Sequence, residues 1–352
     1  HLYSGNYILK LCTDKSMQNK ILVTGATGFI GSHLVELLLK EGVGLNNLRL
    51  LVEPGDSLRN LPPKKFEIIW GDIKDKRAVK KAVEGVNIIY HLAAKTVFEG
   101  STYKDFKDIN VDGTQNLLDA AKGKKIQKFV FFSSISVYGL PAYSGERIKC
   151  DETWPHKPAE GYGKSKLEAE RLLIKAHKSL RIPYIIVRPT TVYGPRDHQG
   201  ILELYRAIYH RYFFRIGNGE SKMDYVFVRD LVRGARQAEL SKCTAEDFIL
   251  GADKPITLNE VINAIASSID RKVPNVYLPE NIALPLSHIV KFIARALGIR
   301  PPLFPERVRI MTTDCYFNSA KAKKYISYRP STSFKAGALI TGEWLLRNKQ
   351  LL

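Results

Sequence analysis

The chain has 352 residues, with 54 Lys+Arg against 35 Asp+Glu, a net charge of +19, 45% hydrophobic and 25% charged residues. These are globular proportions; they exclude a disordered chain and a fibrous repeat, and the length asks for two domains or one large domain with a lobe. Cys12, Cys150, Cys243 and Cys315 stand far apart with no CxxC pair, which argues against a disulfide framework or a structural zinc site and for a reducing compartment.

The N-terminal stretch HLYSGNYILKLCTDKS lacks the apolar core of a signal peptide, and no apolar run reaches the ~18–20 residues of a membrane span. The expected location is cytoplasmic. Residues 1–16 read as an extension, with Met17 as the start of the fold. Next comes Lys20–Thr24, a buried strand, then a helix over Phe29–Lys40. Strands are expected at Leu48–Val52, Phe66–Trp70, Asn87–Leu92, Lys128–Ser133 and Pro183–Arg188. Helices are expected at Asp75–Glu84, Lys104–Ala121 and Gly161–His177. Short apolar runs alternating with helix-period segments specify an α/β fold, a Rossmann-type doubly wound parallel sheet. Beyond residue 189 loops lengthen and prolines gather, with helices expected near 201–211, 258–269, 286–297 and 334–347. Residues 17–189 thus read as a dinucleotide-binding domain. Residues 190–352 read mainly as a smaller C-terminal substrate-binding lobe with some returning elements.

Between the first strand and the first helix the glycines are spaced G-x-x-G-x-x-G, at Gly25, Gly28 and Gly31. This strand–turn–helix context suits a pyrophosphate: the first glycine permits the turn, the second admits close backbone approach, and the third packs helix on strand. Gly25, Thr27, Gly28, Phe29, Ile30 and Gly31 are the candidate phosphate-binding residues. Glu53 lies 22 residues after Gly31 at the end of the second strand. A carboxylate there meets a ribose 2′-hydroxyl and repels a 2′-phosphate, favouring NAD. NADP stays open, because Arg59 is near. Tyr162 and Lys166 open a helix with i,i+4 spacing, on one face. An adjacent ammonium is expected to draw the phenol pKa down, so that Tyr162 exchanges a proton with a substrate oxygen. Ser134 ends the fifth strand, where ligands bind in such sheets, and can orient that oxygen.

TGATGFIG (24–31), GDI (71–73), HLAA (91–94), NVDGTQNLL (110–118), SSISVYG (133–139), YGKSK (162–166) and RPTTVYGPR (188–196) together resemble the motifs, in order, of the extended short-chain dehydrogenase/reductase family. That family includes NAD-dependent epimerases and dehydratases, and the resemblance spans roughly residues 20–348. It implies that Tyr162 is the general acid/base, that Lys166 lowers its pKa and holds the nicotinamide ribose, and that Ser134 binds the reacting oxygen. It also implies that Asp72 and Ile73 flank adenine. Leu92, Ala93 and Ala94 would line the cofactor, with Asn110 near it and Pro189 on the nicotinamide side. A homodimer through the helix that starts at Tyr162 is implied as well.

Two departures narrow the choice. Ile135-Ser136 stands where sugar-nucleotide dehydratases carry Asp-Glu, arguing against dehydration. Met223 stands where uridine-diphosphate-sugar epimerases place an Arg for the diphosphate. The C-terminal segments, including Tyr328-Arg329-Pro330, look more like hydroxysteroid dehydrogenases and dihydroflavonol-type reductases. The expected activity is therefore hydride transfer at a secondary alcohol or ketone of a largely apolar substrate. The alternatives are a nucleotide-sugar 4-epimerase with tightly held NAD and, from another class, a non-catalytic dinucleotide-binding protein that binds RNA. No RNA-binding motif supports the last, and no nucleic-acid partner is expected. Ile282–Ile299, mostly apolar with Lys291 and Arg295, reads as lobe packing, a wall for an apolar substrate, or a membrane-surface contact helped by the positive charge. The mixed aromatic and basic run Tyr205–Arg215 reads as a half-buried helix or an anion-binding surface.

Overall fold

A computed structural model describes residues 19–96, 101–139, 149–159, 161–198, 200–273, 276–298 and 303–351. The expected extension at 1–16, Met17 and Cys12 lie outside these residues. The chain forms two compact units. The first runs up to Val137 and adds Ala159–Arg188 and Ala235–Phe248; the second takes Tyr138–Pro158, Pro189–Gly234 and the chain from Ile249 onward.

In the first unit β1 (Ile21–Thr24) leads to α1 (Phe29–Lys40), β2 (Leu48–Val52) and β3 (Glu67–Trp70). Then follow α2 (Lys76–Val83), β4 (Ile88–His91), α3 (Tyr103–Phe106), α4 (Gly113–Ala121) and β5 (Lys128–Phe132). The unit continues with α5 (Tyr162–Leu180) and β6 (Tyr184–Pro189). Farther along come α6 (Ile201–Tyr209), α7 (Val228–Leu240), β7 (Glu246–Leu250), α8 (Leu258–Ser268), α9 (Glu280–Ala296), α10 (Pro305–Thr312), α11 (Ala320–Tyr325) and α12 (Phe334–Arg347). Sequence patterning missed α7, α10, α11 and β7, and began α9 six residues late, because Pro285 looked like a boundary and instead lies inside the helix.

The strands form a seven-stranded sheet in the order β7-β6-β5-β4-β1-β2-β3. The registered pairs β1–β2, β2–β3, β1–β4, β4–β5 and β5–β6 are all parallel. Such strands are covered on both faces, which is why Ile21–Thr24 and Ile88–His91 are buried at every position. The order reverses between β1 and β4, and in sheets of this kind the crevice beyond that point receives ligands. Leu22, Ile89, Phe129 and Ile186 build one layer of the core with Leu117 and Leu173.

The helix expected over Lys104–Ala121 is not continuous. Lys107–Asp112 winds as a π-helix between α3 and α4. Asn110, in that turn, is buried, and its carboxamide takes up groups from outside the helix: Oδ1 accepts from Lys95 N (2.8 Å), while Nδ2 donates to Lys95 O (3.1 Å) and Ser165 Oγ (2.9 Å). A single wide turn of this sort is common where a helix serves a site.

The second unit has its own core, in which Tyr193, Tyr205, Phe227, Val261, Ile265 and Ala338 pack together. Tyr205 is fully buried there, so the aromatic-basic run is in large part an amphipathic helix, α6, with Tyr212 and Phe214 exposed beyond its end.

Candidate active site

The glycine turn is built for close backbone approach. Gly25 has φ +69, and a Cβ there would sit 2.7 Å from Ala93 N, so only glycine lets β1 turn against the end of β4. At Gly31 a Cβ would collide with the carbonyl oxygen of Gly25, which is how α1 seats tightly on the turn. Gly28 is the N-cap of α1 and provides no side-chain cap, leaving the first helical N–H groups for a ligand. Uncapped N–H groups, the positive helix end and a side-chain-free cradle fit a pyrophosphate.

Glu53 is exposed directly after β2. The loop it starts reaches back to the turn: Thr27 Oγ1 donates to Asp56 Oδ2 (2.7 Å) and Asn60 Nδ2 donates to Thr27 O (3.0 Å). Asp56 and Asn60 were not singled out from the sequence, because nothing in a loop composition tells which side chains return to an upstream turn. Asp72 accepts from Lys74 N and pairs with Lys74 Nζ (3.1 Å). Ile73 is buried against Gly113, where a Cβ would come within 2.8 Å of it. Leu92 N donates to Thr24 O and Ala93 N to Thr24 Oγ1, which holds the segment Leu92–Ala94 over the end of β1. Pro189 is buried at the C-terminal end of β6.

Tyr162 opens α5 after Gly161, whose φ of +87 suits glycine and brings it against the ring of Phe106. Ser134 ends β5 and hydrogen-bonds Tyr162; it also accepts from Ser136 N (3.1 Å). Lys166 Nζ donates to Phe132 O (2.7 Å), 4.8 Å from the Phe131 ring centre and 5.8 Å from that of Tyr162. The three expected groups are thus brought together in one unit.

Their electrostatics correct the sequence expectation. Burial pushes the Tyr162 phenol up to about 12, with the Ser134 hydrogen bond working against it. Burial also brings Lys166 down to about 7, opposed by the nearby Glu170 carboxylate. Desolvation of both groups outweighs the attraction that i,i+4 spacing suggested. Here Tyr162 is a neutral phenol, ready to donate, and Lys166 titrates near neutrality.

Under Lys166 runs a buried polar layer. Glu170, one turn on, accepts from Ser133 Oγ and takes a two-pronged bond from Arg188, Nε at 2.9 Å and Nη2 at 2.8 Å; Arg188 also pairs with Asp247. His91 lies between Thr24 Oγ1 (2.8 Å) and Thr114 Oγ1 (3.0 Å). Burial, aided by Lys166, lowers its pKa to about 3. The unfolded chain takes up this proton near pH 6.5 while the folded chain refuses it until about 3. Stability is therefore intact above pH 6.5 and lost as pH falls towards 3. Between pH 7 and 5 the unfolding free energy should drop by about 2 kcal/mol on this account. Denaturant melts at both pH values should show that drop in the native chain and a flatter response in His91→Gln; an equal drop in both would refute it.

In the second unit, Asp224 accepts from Thr190 Oγ1, Ala252 N and Phe317 N, yet burial still raises its pKa to about 6. It ties together three segments of that unit. Met223, in the position noted for its missing arginine, is buried and pairs with Ile256 across a short antiparallel ladder. His198 is exposed.

The family model described as NAD dependent epimerase/dehydratase family matches residues 21–246. Sterol-4-alpha-carboxylate 3-dehydrogenase, decarboxylating, of Candida albicans is 28% identical, over 94% of this chain and 99% of that protein. N-acetyl-alpha-D-glucosaminyl-diphospho-ditrans,octacis-undecaprenol 4-epimerase of Escherichia coli is 25% identical, over 87% of this chain and 89% of that protein. Among solved structures, UDP-glucuronic acid 4-epimerase from Bacillus cereus, in complex with UDP-glucuronic acid and NAD, superposes with a TM-score of 0.73 at 25% identity, covering 94% of this chain and 99% of that one.

Proposed function

The chain belongs to the NAD dependent epimerase/dehydratase family, and on that premise we propose that it moves hydride between NAD and a secondary alcohol or ketone of a largely apolar, sterol-like substrate. The observation that carries the proposal is the buried trio of Ser134, Tyr162 and Lys166 at the end of β5 and the start of α5. NAD, when bound, supplies the hydride acceptor or donor. Gly25, Gly28 and Gly31 would hold its pyrophosphate on the uncapped end of α1, and Glu53 its adenosine ribose. Leu92–Ala94, Asp72, Ile73, Asn110 and Pro189 complete the proposed contacts.

Tyr162 passes its proton to a carbonyl oxygen as hydride reaches carbon, or receives one in the oxidative direction. Ser134 holds that same oxygen, and Lys166 stabilises the phenolate when charged. The apolar substrate class rests on two supports: a buried methionine at position 223, and sterol dehydrogenases aligned over nearly the whole chain.

One feature favours the second reading, a nucleotide-sugar 4-epimerase. Arg215 is buried with Asn259 Oδ1 on Nη1 (2.6 Å) and Asn263 Oδ1 on Nη2 (3.1 Å), but its Nε meets no acceptor, and among the described residues no carboxylate pairs with it. Such an arginine suits an anionic ligand group. The proposal also includes a homodimer through α5, read by light scattering, and a cytoplasmic location. Among the described residues no helix is long and apolar enough to cross a membrane.

The deciding measurement releases and identifies the nucleotide carried by the purified protein, tests its exchange with added NAD, and follows NADH. Freely exchanging NAD, with NADH accumulating on a 3-hydroxysterol acid, is the expected result. Non-exchanging NAD with interconversion of UDP-sugars and no NADH release would establish the epimerase instead. A preference for NADP would overturn the role given to Glu53.

A further inference from the structure

Helix α9 is turned inside out relative to an ordinary surface helix. The side chains it buries are small, Ala283, Ser287 and Ala294. Its large apolar residues, Ile282, Leu286, Ile289, Phe292, Ile293 and Leu297, at its C-cap, are exposed, Phe292 by 76% and Leu297 by 65%. Their spacing places them on one continuous arc, since residues three, four and seven apart share a helix face. Val276 and Tyr277, just before the helix, are exposed as well. Soluble chains rarely leave so much contiguous apolar surface uncovered unless something binds it.

Charge selects the occupant. From Asn281 to Pro305 the sequence holds Lys291, Arg295 and Arg300 and no Asp or Glu. Lys291 and Arg295 are both exposed and, four residues apart, run along one edge of the apolar arc. A second copy docking on this face by twofold symmetry would bring these cationic edges towards each other. An anionic bilayer surface accepts both features: the apolar side chains enter the headgroup region while the basic ends meet acidic headgroups. The net charge of +19 adds a long-range attraction to the same surface. We propose that α9 is a lipid-docking helix by which the protein sits on, and does not cross, a membrane carrying anionic lipid.

The test is sedimentation of the full chain with phosphatidylcholine vesicles made with or without phosphatidylserine. The native protein should pellet with the phosphatidylserine vesicles and release as salt rises. Ile289→Asp/Phe292→Asp should lower the partition coefficient at least about tenfold, and Lys291→Glu/Arg295→Glu should lower it severalfold on anionic vesicles alone. All four positions are exposed, and unchanged circular dichroism and melting would show the fold intact. Should the aspartate pair fail to fold, the glutamate pair still decides. Native protein that stays in the supernatant, binds neutral vesicles equally, or binds no better than both variants overturns the proposal. So does an oligomer that the aspartate pair splits in the absence of vesicle binding, which would make this face an interface between copies. Vesicle binding needs no turnover, so its failure leaves the hydride-transfer reading standing.

Discussion

Tyr162→Phe should lower kcat by about 10³-fold or more while changing the NAD dissociation constant by no more than about threefold. The phenol oxygen is the atom hydrogen-bonded to Ser134, and the ring around it is buried beside Phe106. Phenylalanine keeps the ring and its packing and removes only the proton carrier. The phosphate cradle is made of backbone at Gly25–Gly31 and does not feel the change. With burial holding the phenol near 12 and Lys166 near 7, the native enzyme is set to donate at neutral pH. The reductive direction should therefore lose the most in the variant. Single-turnover hydride transfer followed by nicotinamide absorbance, beside a fluorescence titration with NAD, separates the two quantities. A variant retaining a tenth of native turnover would remove Tyr162 from the proton path, and a lost NAD affinity would make its role structural.

How much of this was legible beforehand depends on the range of the interaction concerned. The glycine turn is local: the spacing of Gly25, Gly28 and Gly31 acts through backbone shape, and the turn stands where it was expected, between β1 and α1. Tyr162 and Lys166 are one helical turn apart, and the helix that joins them begins at Tyr162 itself. Burial is not local, and it reversed the expected direction of the Tyr162 shift. The π-helix at Lys107–Asp112 escaped notice because its cause, the bonds from Asn110 to Lys95 and Ser165, lies in distant segments. The apolar character of residues 282–299 was plain, but not the direction in which it faces. Ala283 and Ala294 face inward while Phe292 faces out, a choice that depends on what α9 packs against.

The layer beneath Lys166 has the same non-local character and the largest expected effect on stability. Arg188 lies 18 residues from Glu170 and 59 from Asp247, yet the three close into one chain of charge that Ser133 joins. Arg188 and Glu170 are almost wholly buried, 4% and 1% exposed at their side chains, whereas Asp247 is partly open at 27%. Removing one member of a buried pair leaves the other charged in a low-dielectric interior, a loss of about 3–5 kcal/mol. Glu170→Ala should fall at the lower end, about 3 kcal/mol, because Asp247 still faces Arg188. It should also remove the carboxylate that opposes the lowering of the Lys166 pKa, so that Lys166 loses its proton at lower pH. Glu170→Leu paired with Arg188→Met removes both charges and fills similar volume, and should recover most of the lost stability without restoring the Lys166 titration. Denaturant unfolding of the three proteins measures the first effect and the pH profile of turnover the second. If the single variant is as stable as the native chain, the pair contributes nothing to the fold. If its pH profile is unmoved, Glu170 plays no part in tuning Lys166.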